Sequence, residues 1–275
     1  MAADNIDIEL RLLIDAIYLK YHHDFRGYAA ASLKRRLTSA SGRFGCQTLS
    51  QLQDKVLHEP KTFSALLSLL TVPVSEMFRD PTYFSSLRDK VVPLLRTYPS
   101  LRVWVAGCST GEEVYSLAIL LREEGLLERT LIYATDINPQ TLQKAAAGVY
   151  AIDRIAGFTE NHRKSGGRAS LSDYYTAAYG RAVFDKSFRR HIVFSDHSLA
   201  TDSVFAEVHL VSCRNVLIYF NRELQNRALG LFRDALCRKG FLGIGMKESL
   251  RFSSHARSFV DLAYEDRIFQ KKDEP

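Results

Sequence analysis

The middle of the chain begins with apolar positions whose spacing changes from strand-like to helical. Leu101 and the run 103–105 form a short apolar segment of β-forming residues, and Gly107 lies directly beyond it. Behind Gly111 the apolar residues recur at helical spacing; they are Val114, Leu117, Ala118 and Leu121. This order predicts a strand, a tight turn and a helix, the first unit of an open α/β sheet whose ligands lie beyond the carboxyl ends of the strands.

A second unit of the same kind follows. The segment 131–135 predicts a strand that ends at Asp136, and Asn138-Pro139 predicts the start of a helix that runs to Ala147. Later segments predict further strands at 191–194, 208–212, 241–245 and 265–271, and a helix at 222–238.

Three parts of the chain lack this alternation of strand and helix: the beginning, a linker and an insertion. The beginning has apolar residues at helical spacing, which predicts an all-α domain over residues 1–72. Residues 73–92 predict a linker that is irregular at first and helical from Asp80-Pro81 onwards, leading into a sheet domain over 93–275. Between about 150 and 192 the alternation stops, and aromatic, strand-like segments predict a small antiparallel β insertion.

The charge of the first turn restricts the ligand. A helix N-terminus suits a phosphate, but Glu112 and Glu113 occupy the first turn of this helix. Two carboxylates would repel a pyrophosphate and attract a cationic ligand, such as the ammonium and sulfonium groups of S-adenosylmethionine. The alternative, that both glutamates only complement the helix dipole in solvent, stays open at this point.

Asp136 adds a second restriction. An acid at the end of the second strand is placed to accept hydrogen bonds from ribose hydroxyls, and the first turn lacks the full G-x-G-x-x-G spacing of dinucleotide sites. The pattern therefore favours adenosine with a cationic tail as the ligand and makes a nicotinamide dehydrogenase the least favoured enzyme.

Composition and charge narrow the class of protein. The 275 residues carry a net charge of +6, which predicts an acidic partner: nucleic acid, an anionic membrane or an acidic protein surface. The four cysteines include no C-x-x-C pair, so neither a disulfide framework nor a metal site is expected. Without a signal-like start or an apolar run of ~20 residues, we expect a cytoplasmic protein.

Positive charge is concentrated in the second predicted helix, where Lys34, Arg35 and Arg36 are consecutive. A run of this kind is usually a solvated face, and that interpretation stays open. The more specific interpretation is a docking face for an acidic protein. An RNA methyltransferase is the nearest alternative enzyme, but the run lacks the interleaved aromatic residues that stack on bases.

Several motifs together resemble the CheR family, the chemoreceptor protein-glutamate methyltransferases of bacterial chemotaxis-type signalling. The family's ASTGEE-P-YS is similar to CSTGEEVYS at 108–116, and its SDI to TDI at 135–137. Its GIY is similar to GVY at 148–150, and its CRNVMIYF to CRNVLIYF at 213–220. The likeness covers nearly the whole chain. It implies a Rossmann-like class I methyltransferase domain with a small antiparallel β insertion, preceded by an all-α N-terminal domain.

The resemblance also implies a cofactor site. The cofactor would be S-adenosyl-L-methionine and the product S-adenosyl-L-homocysteine, with Glu112 on the methionine amine and Asp136 on the ribose. The other cofactor-binding residues that it implies are Ser75, Arg79, Ser198, Leu199, Arg214 and Asn215.

The sequence departs from the family pattern at a few positions. The linker motif N-x-T-x-F-F-R reads PVSEMFR, so that Pro73 replaces the asparagine, and Ser198 replaces the asparagine of an asparagine-leucine pair. The late G-H-S-E segment reads GMKE at 245–248. These departures keep open a different class, a catalytically weak adaptor that binds the adenosyl ligand.

For catalysis, we assign the orientation of the substrate carboxylate to Arg79 and Tyr219. A carboxylate with a pKa of about 4.3 is already ionised at pH 7, so the substrate needs orientation rather than a general base. A guanidinium can hold a carboxylate at two points, and a phenol can donate one hydrogen bond near the reacting oxygen.

The implied partner is the glutamate-rich helical cytoplasmic region of a chemoreceptor. Lys34, Arg35 and Arg36 are then the expected docking residues. The hairpin at 174–191 looks shorter than in family members that bind a receptor tail peptide, so no tail-peptide dependence is expected. A monomer without a nucleic-acid partner or membrane insertion is also expected.

Overall fold

A computed structural model describes residues 4–71 and 75–273, and its first part is entirely helical. The helices are α1 Asn5–Tyr21, α2 Ala30–Arg43, α3 Leu49–His58 and α4 Pro60–Leu70. The side chains at the centre of this helical domain are completely buried; they are Leu13, Ile17, Leu37, Leu52, Val56 and Leu66. The predicted all-α N-terminal domain is confirmed.

The linker helix differs from the prediction of a single helix over 81–91. It consists of α5 Pro81–Ser86, a π-helical turn Leu87–Val91 and α6 Val92–Leu95. Pro93 is the second residue of α6, and it has no N–H that could donate a helical hydrogen bond.

The prediction that the side chain of Asp80 caps this helix is wrong. The side chain of Asp80 makes no capping hydrogen bond, and its backbone is left-handed with φ +54°. Its carboxylate instead lies 2.7 Å from a guanidinium nitrogen of Arg214. Pro73, the other unusual linker residue, lies outside the described residues.

Two β-sheets follow the linker. In chain order the strands are β1 Leu101–Ala106, β2 Thr130–Asp136, β3 Val149–Ala151, β4 Tyr175–Ala178, β5 Arg181–Phe184, β6 Ile192–Asp196, β7 Val208–Cys213, β8 Leu236–Ile244, β9 Phe259–Ala263 and β10 Ile268–Lys271. The larger sheet has the order β6-β2-β1-β7-β8-β10-β9, and the smaller has the order β3-β5-β4. The strands from β6 to β8 are parallel, and β10 is antiparallel to both of its neighbours.

Helices pack against both faces of the larger sheet and bury its apolar side chains. These helices are α7 Glu112–Glu123, α8 Pro139–Ala147 and α10 Arg222–Ala235, and a fourth helix, α9 Ile155–Lys164, packs against α5. On one face, Trp104 is fully buried against Phe232 of α10; on the other face, Val103 and Val105 pack with residues of α7. The alternation along β1 thus supplies a core on each side of the sheet.

The carboxyl-terminal part contains two corrections to the predicted elements. The helix predicted over 222–238 ends at Ala235, because Leu236 already pairs with Val208 as the first residue of β8. The strand predicted over 265–271 is the second arm of a hairpin whose first arm, β9, was missed. Residues at both ends of β9 are buried, but Val260 and Asp261 between them are exposed, so β9 has no strict alternation.

The predicted β insertion is confirmed as the smaller antiparallel sheet, with β5 between β3 and β4. Tyr179 and Gly180 form the turn between β4 and β5, and both have positive φ. Helix α9 was not predicted in this polar region. Its buried residues recur at helical spacing; they are Ile155, Phe158 and His162.

A buried ionic cluster joins α7, the linker helix and the insertion. Arg88 contacts both Glu123 and Glu124, and these side chains are at most 6% exposed. His162 lies 2.9 Å from Glu123, and the hydroxyl of Tyr174 donates to Glu123 over 3.1 Å. Burial alone would raise the pKa of Glu123, but the hydrogen bond from His162 and the charge of Arg88 outweigh it and lower this pKa to about 2.

This cluster predicts a specific acid sensitivity. Replacing Glu123→Gln should lower the free energy of unfolding at pH 7 by about 3 kcal/mol, because Arg88 loses a buried partner. The pKa of Glu123 is lower in the folded chain, so its stabilisation is complete above about pH 4.5 and is lost as the pH falls towards 2.

Urea unfolding of both chains across this pH range is the measurement. The difference between wild type and Glu123→Gln should shrink on acidification, whereas the exposed turn variant Glu265→Gln should match wild type throughout. A difference that stays constant down to pH 2 would contradict the assigned role of Glu123.

Candidate functional site

The turn after β1 is fixed to the end of β2. The backbone N–H groups of Gly107 and Cys108 both donate to the carbonyl of Thr135 over 2.8 Å. Gly107 has φ +73°, and a Cβ there would lie 2.5 Å from a methyl group of Val216, so only glycine fits. The turn therefore opens at the carboxyl end of the parallel strands, as the sequence predicts.

Asp136 lies at the end of β2 and faces this turn. One carboxylate oxygen accepts from the N–H of Ser109 over 2.9 Å, and the other from the N–H of Asn138 over 3.0 Å. Burial raises the pKa of Asp136 above its usual value, although these two N–H groups oppose the shift. Asn138 caps α8 as predicted, accepting from the N–H groups of Gln140 and Thr141.

A cleft lies beyond these strand ends and is lined by residues from several parts of the chain. It holds about 970 Å³ of space, including the solvent at its open mouth. The N-terminal domain, the linker and the strand ends all contribute to it; lining residues include Tyr28, Leu70, Thr71, Ser75, Arg79, Cys108, Asp136, Ile137, Leu199, Arg214, Asn215 and Tyr219. The contribution of Tyr28, Leu70 and Thr71 was missed, because a helical pattern does not indicate which helix end meets a distant sheet.

The two glutamates of the first turn have different surroundings. Glu113 lines the cleft, where it accepts a hydrogen bond from the hydroxyl of Ser212 over 2.7 Å and lies 3.2 Å from the guanidinium of Arg214. Glu112 is completely buried beside the cleft. Its carboxylate accepts from the hydroxyl of Thr110 over 2.6 Å and pairs with Arg154 over 2.7 Å. Both therefore do more than complement the helix dipole in solvent.

Arg214 holds the linker against the sheet. Its side chain is 1% exposed and donates to the carboxylate of Asp80 over 2.7 Å and to the carbonyl of Arg79 over 2.8 Å. Phe78 and Asp80, on either side of Arg79, both have positive φ, which costs of order 1–3 kcal/mol each. The N–H of Phe78 is bound by Ser116 over 2.8 Å. These contacts place the half-buried side chain of Arg79 on the cleft wall.

Tyr219 also lines the cleft and lies in the segment that follows β7. Its carbonyl accepts from the N–H of Ala29 over 2.8 Å, and the guanidinium of Arg36 lies 4.6 Å from the centre of its ring. Arg36 also donates to the carbonyl of Leu70. The N-terminal domain thus contacts both the backbone and the ring of Tyr219.

The predicted pair after β6 divides between two roles. Leu199 lines the cleft, but Ser198 is not among the lining residues. The N–H of Ser198 donates to Asp202 over 2.9 Å, and its hydroxyl accepts from the N–H of Ala200 over 3.3 Å. Ser198 therefore shapes the loop that carries Leu199.

The three predicted docking residues are also placed differently from one another. Lys34 lies 2.6 Å from a carboxylate oxygen of Asp7 on α1, and Arg36 packs on the tyrosine described above. Arg35 and Arg43 are exposed. With Arg36 they line a shallow groove on α2 next to α4.

The cleft suits an adenosyl ligand with positive charge. Asp136 and Glu113 supply carboxylates, while Ile137 and Leu199 supply apolar surface of the kind that a purine ring requires. In residues 4–71 and 75–273, no cluster of His, Cys, Asp and Glu could hold a metal ion. No helix in this part of the chain has both the length and the apolar character to span a membrane.

A mostly parallel sheet of this order with an acidic cleft at its carboxyl edge defines an S-adenosylmethionine-dependent methyltransferase. The chain belongs to the CheR methyltransferase family. The family's all-α domain matches residues 8–71, and its SAM-binding domain matches residues 73–265.

Individual proteins are similar to this chain to different degrees. A Pseudomonas putida protein that bears the name Cher3 is 61% identical over 97% of this chain and 98% of its own length. A chemotaxis protein methyltransferase of Listeria innocua is 32% identical over 82% of this chain and 84% of its own length. The N-methyltransferase NodS from Bradyrhizobium japonicum, solved with S-adenosyl-L-homocysteine, has a TM-score of 0.40 and 11% identity over 73% of this chain and 90% of its own.

Glu248 binds the backbone of the segment that carries Asn215 and Tyr219. Its buried carboxylate accepts from the N–H groups of Gly245 over 2.5 Å, Asn215 over 3.1 Å and Ile218 over 3.2 Å. Burial raises the pKa of Glu248, and the three N–H groups oppose this shift. Of the late segment GMKE, the glutamate thus has a defined structural role.

We predict that Glu248→Ala lowers the free energy of unfolding by about 3 kcal/mol, because three backbone donors lose their acceptor. Glu248→Gln keeps one oxygen in place and should lose roughly half as much. Urea unfolding measures both, with the exposed neighbour variant Lys247→Ala as the control. If Glu248→Ala is as stable as Lys247→Ala, the carboxylate does not fasten this segment.

Proposed function

We propose that this protein transfers the methyl group of S-adenosyl-L-methionine to glutamate side chains of bacterial chemoreceptors and is a protein-glutamate O-methyltransferase. The observation that carries the proposal is that the cofactor cleft also contains the guanidinium of Arg79 and the phenol of Tyr219. A cation and a hydrogen-bond donor in the same cleft suit a carboxylate substrate. The relatives named chemotaxis protein methyltransferases support the same substrate class.

The cofactor is assigned to the acidic end of the cleft. The carboxylate of Asp136 accepts hydrogen bonds from the ribose hydroxyls, and the carboxylate of Glu112 binds the α-ammonium group. Ile137 and Leu199 pack on the adenine. The remaining predicted residues line or support this pocket; they are Ser75, Arg79, Ser198, Arg214 and Asn215. Arg214 contributes mainly by holding Glu113 and the linker, since its guanidinium is already bonded to both.

The chain contributes positioning rather than acid-base chemistry. When bound, the cofactor would supply a methyl group attached to a sulfonium sulfur. The bond between this methyl carbon and the sulfur would break as a carboxylate oxygen of the substrate bonds to the carbon, and the sulfur would keep the electron pair. Arg79 grips the substrate carboxylate, and Tyr219 donates to one of its oxygens. Orientation of this kind can lower the barrier by roughly 7 to 11 kcal/mol at best. Opposite charges cancel during the transfer, so exclusion of water by the surrounding walls favours it.

The receptor region is assigned to the groove on α2. Arg35 and Arg43 are exposed there and can meet the carboxylates of a glutamate-rich helix. Lys34 contributes less, because Asp7 already neutralises it. Arg36 connects this groove to the ring of Tyr219. A docked receptor would therefore lie next to the catalytic wall.

We further infer that the protein acts without a receptor tail peptide and as a monomer. The hairpin of β4 and β5 has strands of four residues each and a turn of only Tyr179 and Gly180. Such a short arm offers little edge for an added strand.

The proposal predicts a base-labile product. Calorimetric titration should show that the protein binds S-adenosyl-L-methionine and S-adenosyl-L-homocysteine, and tritiated methyl transfer should label membranes that contain the cognate receptors. Base treatment should then release the label as methanol, because carboxyl methyl esters hydrolyse readily. Label that resists base would contradict the carboxylate substrate and would point to another acceptor, such as RNA.

The variant Tyr219→Phe separates catalysis from cofactor binding. It should lower kcat about tenfold through loss of one hydrogen bond, with the affinity for S-adenosyl-L-homocysteine unchanged. Cofactor binding with no transfer to any receptor preparation would favour the adaptor alternative.

Docking through the α2 groove predicts a charge-dependent encounter. Arg35→Glu should raise the apparent KM for receptor about five- to tenfold with little change in kcat, and added salt should raise the wild-type KM as well. Arg11→Glu makes the same charge change on an exposed position of α1 and serves as the control. Equal KM values for Arg35→Glu and Arg11→Glu would exclude the groove as the docking site.

A further inference from the structure

The carboxylate of Glu112 is completely buried and is paired with Arg154. The distance from a guanidinium nitrogen of Arg154 to one carboxylate oxygen is 2.7 Å. The other oxygen accepts from the hydroxyl of Thr110 over 2.6 Å. No motif in the sequence marks Arg154, which lies in the polar stretch between β3 and α9.

Arg154 joins several parts of the chain at this point. It follows β3 in the insertion, and a second guanidinium nitrogen donates to the carbonyl of Ser75 in the linker. The guanidinium also lies 4.8 Å from the ring centre of Phe158 on α9. Its side chain is 36% exposed, whereas that of Glu112 is 0% exposed. Arg154 thus links the insertion and the linker to a carboxylate beside the cofactor cleft.

Burial makes Glu112 dependent on this partner. An ionised carboxylate without a counter-ion is costly to bury, and it lowers this cost by moving towards water. Such a movement would take the negative charge away from the position where it can attract an ammonium group. A carboxylate oxygen can accept two hydrogen bonds, so the contacts with Arg154 and Thr110 leave acceptor positions free on both oxygens.

We propose that Arg154 is a positioning residue for the ammonium end of the cofactor, acting by compensating the charge of the buried Glu112 carboxylate and keeping it correctly oriented. This inference rests on the assignment of Glu112 to the α-ammonium group in the proposed function. It makes the insertion part of the cofactor site, although no residue of β3, β4 or β5 lines the cleft.

The test compares two ligands by calorimetry: S-adenosyl-L-homocysteine and its analogue without the α-amino group. Arg154→Met should weaken binding of the first about tenfold and change binding of the second by less than about threefold, because only the first carries the ammonium. Arg154→Lys should recover most of the loss, since an ammonium can still neutralise Glu112. Arg163→Met, a 70% exposed arginine on α9, is the matched control and should bind both ligands like wild type.

The variant Glu112→Gln distinguishes a failure of this inference from a failure of the assignment of the α-ammonium group to Glu112. If Glu112→Gln weakens both ligands equally, the assignment of the ammonium to Glu112 is wrong and the inference falls with it. If Glu112→Gln discriminates between the ligands but Arg154→Met does not, only the role of Arg154 is wrong.

Tighter binding of S-adenosyl-L-homocysteine by Arg154→Met would also overturn the inference, since it would make Arg154 a competitor for Glu112. The double variant Glu112→Gln with Arg154→Met should weaken binding of S-adenosyl-L-homocysteine, relative to its analogue without the α-amino group, no more than Glu112→Gln alone does. The reason is that both residues act through one carboxylate.

Discussion

The cleft depends on the buried guanidinium of Arg214. It contacts the carboxylates of Glu113 and Asp80 and the carbonyl of Arg79, and only 1% of its side chain is exposed. Removing one partner from such a buried pair costs about 3–5 kcal/mol, because the other charge is left without compensation. One side chain from the end of β7 therefore decides where the linker lies and where Arg79 points.

Part of the local backbone strain lies around the same cleft, and side chains offset it there. Several non-glycine residues there have positive φ; they are Phe78, Asp80, Ser109 and Asn215. Each is held by a hydrogen bond or ion pair from a separate element, and the groups that hold them are Ser116, Arg214, Asp136 and Glu248. Strained residues persist only where the surroundings determine them strongly, and these contacts supply that determination.

The sequence predicts local features well and long-range pairs poorly. The turn at Gly107, the strand that ends at Asp136 and the small antiparallel insertion follow from residues close together in the chain. The ion pairs of Arg154 and Arg214 were not predicted, because each arginine contacts partners dozens of residues away in the chain, and no periodicity of the sequence encodes such contacts. Asp80 next to proline resembles a helix cap, but an ion pair with Arg214 prevails over that local preference.

The N-terminal domain is structurally part of the cleft rather than an attachment to it. Tyr28, Leu70 and Thr71 form a wall, and the side chain of Asn138, which caps α8, also donates to the hydroxyl of Thr71 over 2.9 Å. The two domains consequently cannot be exchanged as independent modules. A helical domain taken from another protein would have to bring matching groups at these positions, so changes in this domain are tied to retention of the cleft.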